Sequence, residues 1–511
     1  MRQNIAICFF LFAIFGCGTG SHQKSGGVKK VLCTNVVTNP ETLDPRKARD
    51  MADINIILQL QEGLFHLEEG GSLKPALSEK YEVSSDRKTF TFHLRDAKWS
   101  NGEPIRAKDF VYSYKTTLSP GFSSNNTALL FPIKNAKKIK MGLLPSYLLG
   151  IKEIDDVSFS IELEEPVPYF LKLLASPVYF PIYHGIDKQN EKWATRTSSY
   201  ISSGPFVLQN WIHDNLIELE KNPFYWDKDH VALEQLHFIM VDEDTEWKMF
   251  ENGDMDLIGS PFSYIPLAVL EDLKKRNKLE TKDVLEVRFL RINTNLPRLD
   301  QPDFRLLLAS AFSREELVQQ ICLANQKPAY SFVPKKENKP FSFIEKITNE
   351  SLLEGPLYLT YFMNERNNLI AQTLQEAWKK KLGLDVRLEP LEGKSYYDRV
   401  AKQDFQLVLS SWVADYDDPS SFLEIFKSKG TGNNNTGWEN KTYTELLDRS
   451  NRELPEERIE IFRAAEEILL KEMPVIPLFF GTRSYSKNSK LEGILIDELG
   501  RVYFKNAYFK K

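Results

Sequence analysis

Catalysis and metal binding each need a few side chains held at fixed spacing, so those spacings come first. The chain has 7 His, at His22, His66, His93, His184, His213, His230 and His237. None stands in an HExxH pair or another two-ligand spacing. There is no GxxxxGKS or GxxxxGKT loop to cradle phosphates, and no GxSxG nucleophile elbow. The 71 acidic side chains are what a solvated surface requires. A pair of glycosidase carboxylates need only meet in space, so the sequence leaves that one chemistry open. Cys8, Cys17, Cys33 and Cys322 lack metal or redox spacing, although one bridge between Cys33 and Cys322 remains open. No catalytic residue, metal or cofactor is expected. One carboxylate does stand out. Asp418 followed by Pro419 reads as a helix N-cap with proline at the first helical position. That leaves Asp415 without a capping duty, either solvated on a loop or available to a cation.

The elements that position these residues come from periodicity. Residues 28–37 read as a strand, and residues 54–64 as a helix through Ile54, Ile57, Leu58, Leu60 and Leu64. Phe90, Phe92 and Leu94 alternate with Thr91, His93 and Arg95, the pattern of a half-buried strand. Asn101-Gly102 is a turn, and a helix begins at Ala107. Beyond residue 200 the pattern is mixed. Residues 231–241, 254–258, 357–361 and 384–388 read as strands. Residues 245–251, 305–322, 368–382 and 456–471 read as helices, and Gly383 caps the third of these. Alternation at this spacing predicts an α/β protein built on mixed sheets.

The 511 residues are enough for two to four domains. Net charge is −5 and no basic run exceeds three residues, so nucleic acid is not an expected partner. Aromatic residues make up 12%, which suits a ring-lined cavity or simply an aromatic core. Met1-Arg2, then the apolar residues 5–15, form a segment too short to span a bilayer and read as an export signal, residues 1–16. Gly16-Cys17, followed by Gly18, Thr19, Gly20 and Ser21, resembles the lipobox of bacterial lipoproteins. The resemblance implies cleavage before Cys17, a diacylglycerol on its thiol, and a flexible tether over residues 17–27. The expected location is outside the cytoplasm, attached to a membrane by lipid.

A longer series of motifs runs in order along the chain. It starts at Asn39-Pro40-Glu41-Thr42-Leu43-Asp44-Pro45 and passes Glu62-Gly63-Leu64-Phe65-His66 and Trp99-Ser100-Asn101-Gly102-Glu103-Pro104. It continues through Ser203-Gly204-Pro205-Phe206, Lys221-Asn222-Pro223-Phe224-Tyr225-Trp226 and Ile292-Asn293-Thr294-Asn295. It closes at Trp412-Val413-Ala414-Asp415-Tyr416-Asp417-Asp418-Pro419. This order resembles the family 5 extracellular solute-binding proteins of oligopeptide and dipeptide ABC importers. The resemblance implies a two-lobed, type II periplasmic-binding-protein-like fold with an extra strand-rich subdomain. Lobe I is expected at 28–75, 199–262 and 481–511, the insert at 76–198, and lobe II at 263–480.

The resemblance also implies the site. Asp415 would pair with a peptide's α-ammonium, since a buried ammonium without an anion is costly. Backbone around Asn35–Glu41, which includes Asn39, and Ser410–Ala414, which includes Trp412, Val413 and Ala414, would pair with an extended peptide. Trp412 and Tyr416 are candidates for side-chain pockets, with core packing as the plain alternative. Relatives hold the ligand carboxylate with basic residues, but the matching positions here are Asn367 and Leu409, leaving Arg366 or Arg399 as substitutes. Expected partners are an oligopeptide, the permease subunits and the membrane, with the chain a monomer. The same fold also carries dipeptides, murein peptides, nickel chelates or haem. A sensor lipoprotein or an enzyme is the rival class.

Overall fold

The computed structural model describes residues 28–334 and 350–511, apart from Arg49, Asn125 and Thr431. The expected signal segment 1–16, Cys17 and the tether lie outside those residues. Among the described residues no helix is long and apolar enough to cross a membrane.

One mixed sheet runs through the molecule. Its spatial order is Val386–Leu391, Leu357–Phe362, Leu407–Val413, Glu280–Ile292, Val475–Lys487, Leu257–Gly259, Val31–Asn35, Gln235–Ile239, Leu216–Lys221 and Phe206–Ile212. The two central strands, Glu280–Ile292 and Val475–Lys487, are 13 residues each and serve both ends of the sheet. Their antiparallel pairing shifts register twice, between Asp283 and Val287 and again between Arg288 and Phe289, the first shift being the larger. Asp283 pairs with Thr482 and Val287 with Phe480, so residues 284–286 stand opposite Gly481 alone. A Cβ at Gly481 would lie 2.7 Å from the Glu286 carboxyl carbon, so only glycine fits there. The break divides one sheet into two halves, with a bend between them.

The apolar cores follow this division. Leu32, Ile56, Phe206, Leu236 and Phe504 pack together at one end. At the other end the sheet is covered on both faces. Leu307, Leu359, Leu374 and Trp378 pack together there, and Phe332, Phe426, Tyr443 and Leu469 form a separate core. A third body is built on four antiparallel strands in the order Ser78–Val83, Thr89–Leu94, Ser158–Glu162, Ile151–Asp155. Phe92, Phe110, Phe159 and Tyr179 fill its core. Each such fully buried ring contributes roughly 1.5–3 kcal/mol relative to exposure. Leu64 and Phe65 already pack into this third body, whereas Ile182 and Trp193 pack with the first end of the sheet.

Local chemistry sets the element ends. The helix Glu365–Leu382 starts where the Asn364 side chain accepts from Asn367 N–H, and stops at Gly383 with φ of 69°. The helix expected over 305–322 is divided. It runs Pro302–Ser310, then restarts as Arg314–Leu317 because the Ser313 hydroxyl caps Glu316 N–H. Gly204 lets two segments touch, with its N–H donating to Leu60 O at 2.9 Å. Cys33 is a buried free thiol, its pKa pushed up to about 12 by burial and by neighbouring Asp256.

Candidate functional site

The strand Leu407–Val413 pairs along its whole length with Glu280–Ile292. On its other side only Leu407 and Val408 pair, with Leu359 and Thr360. From residue 409 onward no described strand pairs with that edge. Ala414 N–H donates to Leu285 O at 2.8 Å, on the Glu280–Ile292 side. The period of two then turns the backbone N–H and C=O of Val413 and Ser411 toward the open edge. Leu409 is next in this series, and its carbonyl accepts from Tyr396 Oη at 2.8 Å. Two outward-facing residues are thus left for an added strand, with a tyrosine closing the far end.

Asp415 stands just beyond this edge, on a loop fixed at nearly every residue. Its own N–H donates to Ser421 Oγ at 2.9 Å, and its carbonyl accepts from Arg501 Nη2 at 3.4 Å. Tyr416 stacks on Tyr169 at 4.3 Å with 7° between the rings. Asp417 pairs with Lys172 at 2.6 Å and Asp418 with Arg458 at 2.8 Å. Asp418 Oδ1 also accepts Ser420 N–H at 3.0 Å, but the residue expected as the N-cap stands one place too early, since Pro419 precedes the helix Ser420–Leu423 directly. The Asp415 carboxylate is the exception, because it accepts no hydrogen bond from a described residue. Burial pushes its pKa up to about 6, opposed by the charge of Arg501. The carboxylate is therefore half-buried, and among the described residues it has no hydrogen-bond donor.

The other candidates divide. Val413 is partly exposed at the open edge, and Ala414 is buried. Trp412 donates its Nε1 hydrogen to Ser421 O at 2.8 Å and lies against the Phe332–Phe426 core. Tyr416 does not line a pocket, because its stacked ring is part of the third body's core. The Asn39 side chain accepts from Trp211 Nε1 at 2.9 Å and lies 3.0 Å from His213 Nδ1, while Val37 and Thr38 beside it are exposed. Asn367 is buried and donates to Phe362 O at 2.8 Å, so its amide closes its own strand–helix junction. Arg399 already pairs with Glu389 at 3.0 Å, and Arg366 lies on the helix Glu365–Leu382.

A charged group near the bend has no place in the sequence reading. Glu286 is 4% exposed and takes Arg288 Nε at 2.9 Å and Arg483 Nη1 at 2.7 Å. Burial pushes Glu286 toward protonation, but Arg288 and Arg483 outweigh it and hold the carboxyl below its ordinary range. Its sequence, Glu286-Val287-Arg288, reads only as an alternating strand. Among the described residues no three His, Cys, Asp or Glu side chains converge as a metal site.

Two lobes on one shared sheet, with an unpaired carboxylate beside an open strand edge, define a solute-binding protein of the type II periplasmic-binding-protein fold. Comparison with known proteins agrees. The chain belongs to the bacterial extracellular solute-binding proteins, family 5, whose middle region matches residues 72–434. It is 35% identical to the oligopeptide-binding protein OppA of Bacillus subtilis, over 100% of this chain and 99% of that protein. The Escherichia coli murein tripeptide-binding protein MppA superposes with a TM-score of 0.82 at 28% identity, covering 94% of this chain and 99% of that one. Haemophilus influenzae OppA in complex with the peptide RPPGFSPFR gives 0.81 at 25% identity, over 94% and 99% of the two chains. The family is one of extracellular, substrate-binding proteins.

Proposed function

We propose that this chain captures oligopeptides outside the cytoplasm and hands them to the permease of an ABC importer. The observation that carries this is Asp415, a desolvated carboxylate without a donor at the end of an open strand edge. A peptide's α-ammonium meets that need, and its backbone adds a strand against Ser411 and Val413. Such pairing gives affinity without reading side chains, which suits a broad peptide receptor. The relatives agree, since B. subtilis OppA is an oligopeptide-binding protein and H. influenzae OppA forms a peptide complex.

In this reading the ligand lies between the lobes. The two long strands bend at Gly481 and the lobes close on it. Lobe I comprises 28–75, 199–262 and 481–511, lobe II 263–480, and the insert 76–198. The chain is a monomer, exported by residues 1–16 and anchored by lipid on Cys17. It performs no turnover, and separate ATPase subunits supply the energy. Native mass spectrometry of the purified chain tests the reading. Wild type retains or binds a peptide-sized mass, and Asp415→Asn loses it. A chain that holds a metal chelate, haem or nothing from a peptide pool contradicts it.

A further inference from the structure

We propose that Arg288 is the anion subsite of the cleft and takes a carboxylate of the bound ligand. This rests on the peptide reading above and adds what the far end of the site recognises. The Asp415 end selects an amine, whereas two of the positions considered for the carboxylate are engaged elsewhere. Asn367 is tied to Phe362 and Arg399 to Glu389.

Arg288 has what those residues lack. It stands in register with Ser411, which is exposed, so both side chains leave the sheet on the same face. Its side chain is 31% exposed. Its Nε is used on Glu286, but neither terminal nitrogen donates to a described residue. Glu286 is shared with Arg483, so one negative charge meets two positive ones. Nε of Arg483 is buried without a hydrogen-bond partner. The trio carries net charge +1 and has donors to spare.

The guanidinium also reaches toward the open edge. It interacts electrostatically with Tyr396, whose hydroxyl sits on Leu409 O at that edge, and with Tyr264. Tyr397, next to Tyr396, is 66% exposed and Tyr264 is 65% exposed. Tyr397 interacts with Arg288, Tyr264 and Asp50. Asp50 is thus an acidic group that acts on Tyr397 at this end.

The separation sets a length. Asp415 lies four residues past Ser411, a span of at most about 13 Å at ~3.3 Å per extended residue. An extended peptide with its ammonium on Asp415 brings its third or fourth residue level with Arg288. Either the terminal carboxylate of a tri- or tetrapeptide, or an acidic side chain there in a longer one, supplies the anion.

Calorimetry on the purified chain decides this with seven probes: trialanine, tetra-alanine, their two C-terminal amides, hexa-alanine amide, and hexa-alanine amide with Glu at position 3 or at position 4. A lost charge-assisted pair corresponds to about a ten- to hundredfold change in affinity. The proposal expects amidation of the short peptides to cost that factor in wild type and in Arg288→Lys, but not in Arg288→Gln. A gain from Glu in wild type alone assigns the anion to a side chain instead of the C-terminus. Equal amidation penalties in wild type and Arg288→Gln, or none in wild type and no gain from Glu, overturn the role of Arg288 and leave the peptide reading intact. If no free-amine peptide binds wild type, the peptide reading falls and this proposal with it.

Discussion

At the residue scale the proposed chemistry rests on one carboxylate held away from its ordinary state. In the ligand-free chain Asp415 titrates at about 6, because burial outweighs the Arg501 charge. An ammonium binds only the ionised form. Peptide affinity should therefore be flat above about pH 7 and fall roughly tenfold per pH unit below about 6. Titrations from pH 5 to 8 check this, and a pH-independent affinity would remove Asp415 from the account. The same group has a stability consequence. Its folded pKa lies above the ordinary carboxyl value near ~3.9, so the folded chain keeps a proton that the unfolded chain releases. Stability from this group is present below about pH 4 and lost as pH rises through about 6. Ligand-free Asp415→Asn should thus melt a few degrees above wild type at pH 8, with the two converging at pH 4. Function and stability oppose each other at this position. Asp415 was legible in the sequence because its neighbours Asp418 and Pro419 already account for the helix start. Arg288 was not, because a charge on an alternating strand looks the same facing bulk water or a cleft.

At the element scale the site depends on a loop more firmly held than its polar sequence suggests. The Asp418–Arg458 pair has side chains only 10% and 8% exposed. Removing one partner leaves the other charge buried and unpaired, a cost of about 3–5 kcal/mol. Arg458→Ala should lower the urea midpoint and loosen the loop that carries Asp415, so peptide affinity falls as well. A midpoint unchanged from wild type would show that the pair does not hold the loop. Elements whose environment is uniform were legible. Phe90, Phe92 and Leu94 alternate because one face of that four-stranded sheet is packed. The break at residues 311–313 was not, since a serine cap inside an apolar run leaves the helical period intact on both sides. The strand Glu280–Ile292 was missed because its first residues are partly exposed and its last four are all buried, so no single period describes it.

At the whole-molecule scale the two long strands are both scaffold and bend. The proposed layout puts a lobe boundary at 480/481, and a register shift between the two strands lies beside Gly481. That layout came from the resemblance, since periodicity alone indicates only mixed α/β structure. A methyl group at Gly481 would sit 2.7–2.8 Å from Glu286 atoms and displace the carboxylate that Arg288 and Arg483 share. Gly481→Ala should cost about 1–3 kcal/mol by overpacking and weaken peptide binding, even though the residue touches no ligand. Urea unfolding and calorimetry on the same preparation measure both effects. Stability and affinity equal to wild type would mean the bend tolerates the methyl group.

The most direct measurement compares one peptide with its N-acetylated form, by calorimetry at pH 7.5 on the purified chain. The account predicts that acetylation removes the charge Asp415 requires and lowers affinity by at least about tenfold in wild type. In Asp415→Asn the free and acetylated peptides should bind alike and weakly. Equal affinity of the two forms for wild type would contradict the central claim that this carboxylate recognises a free amine.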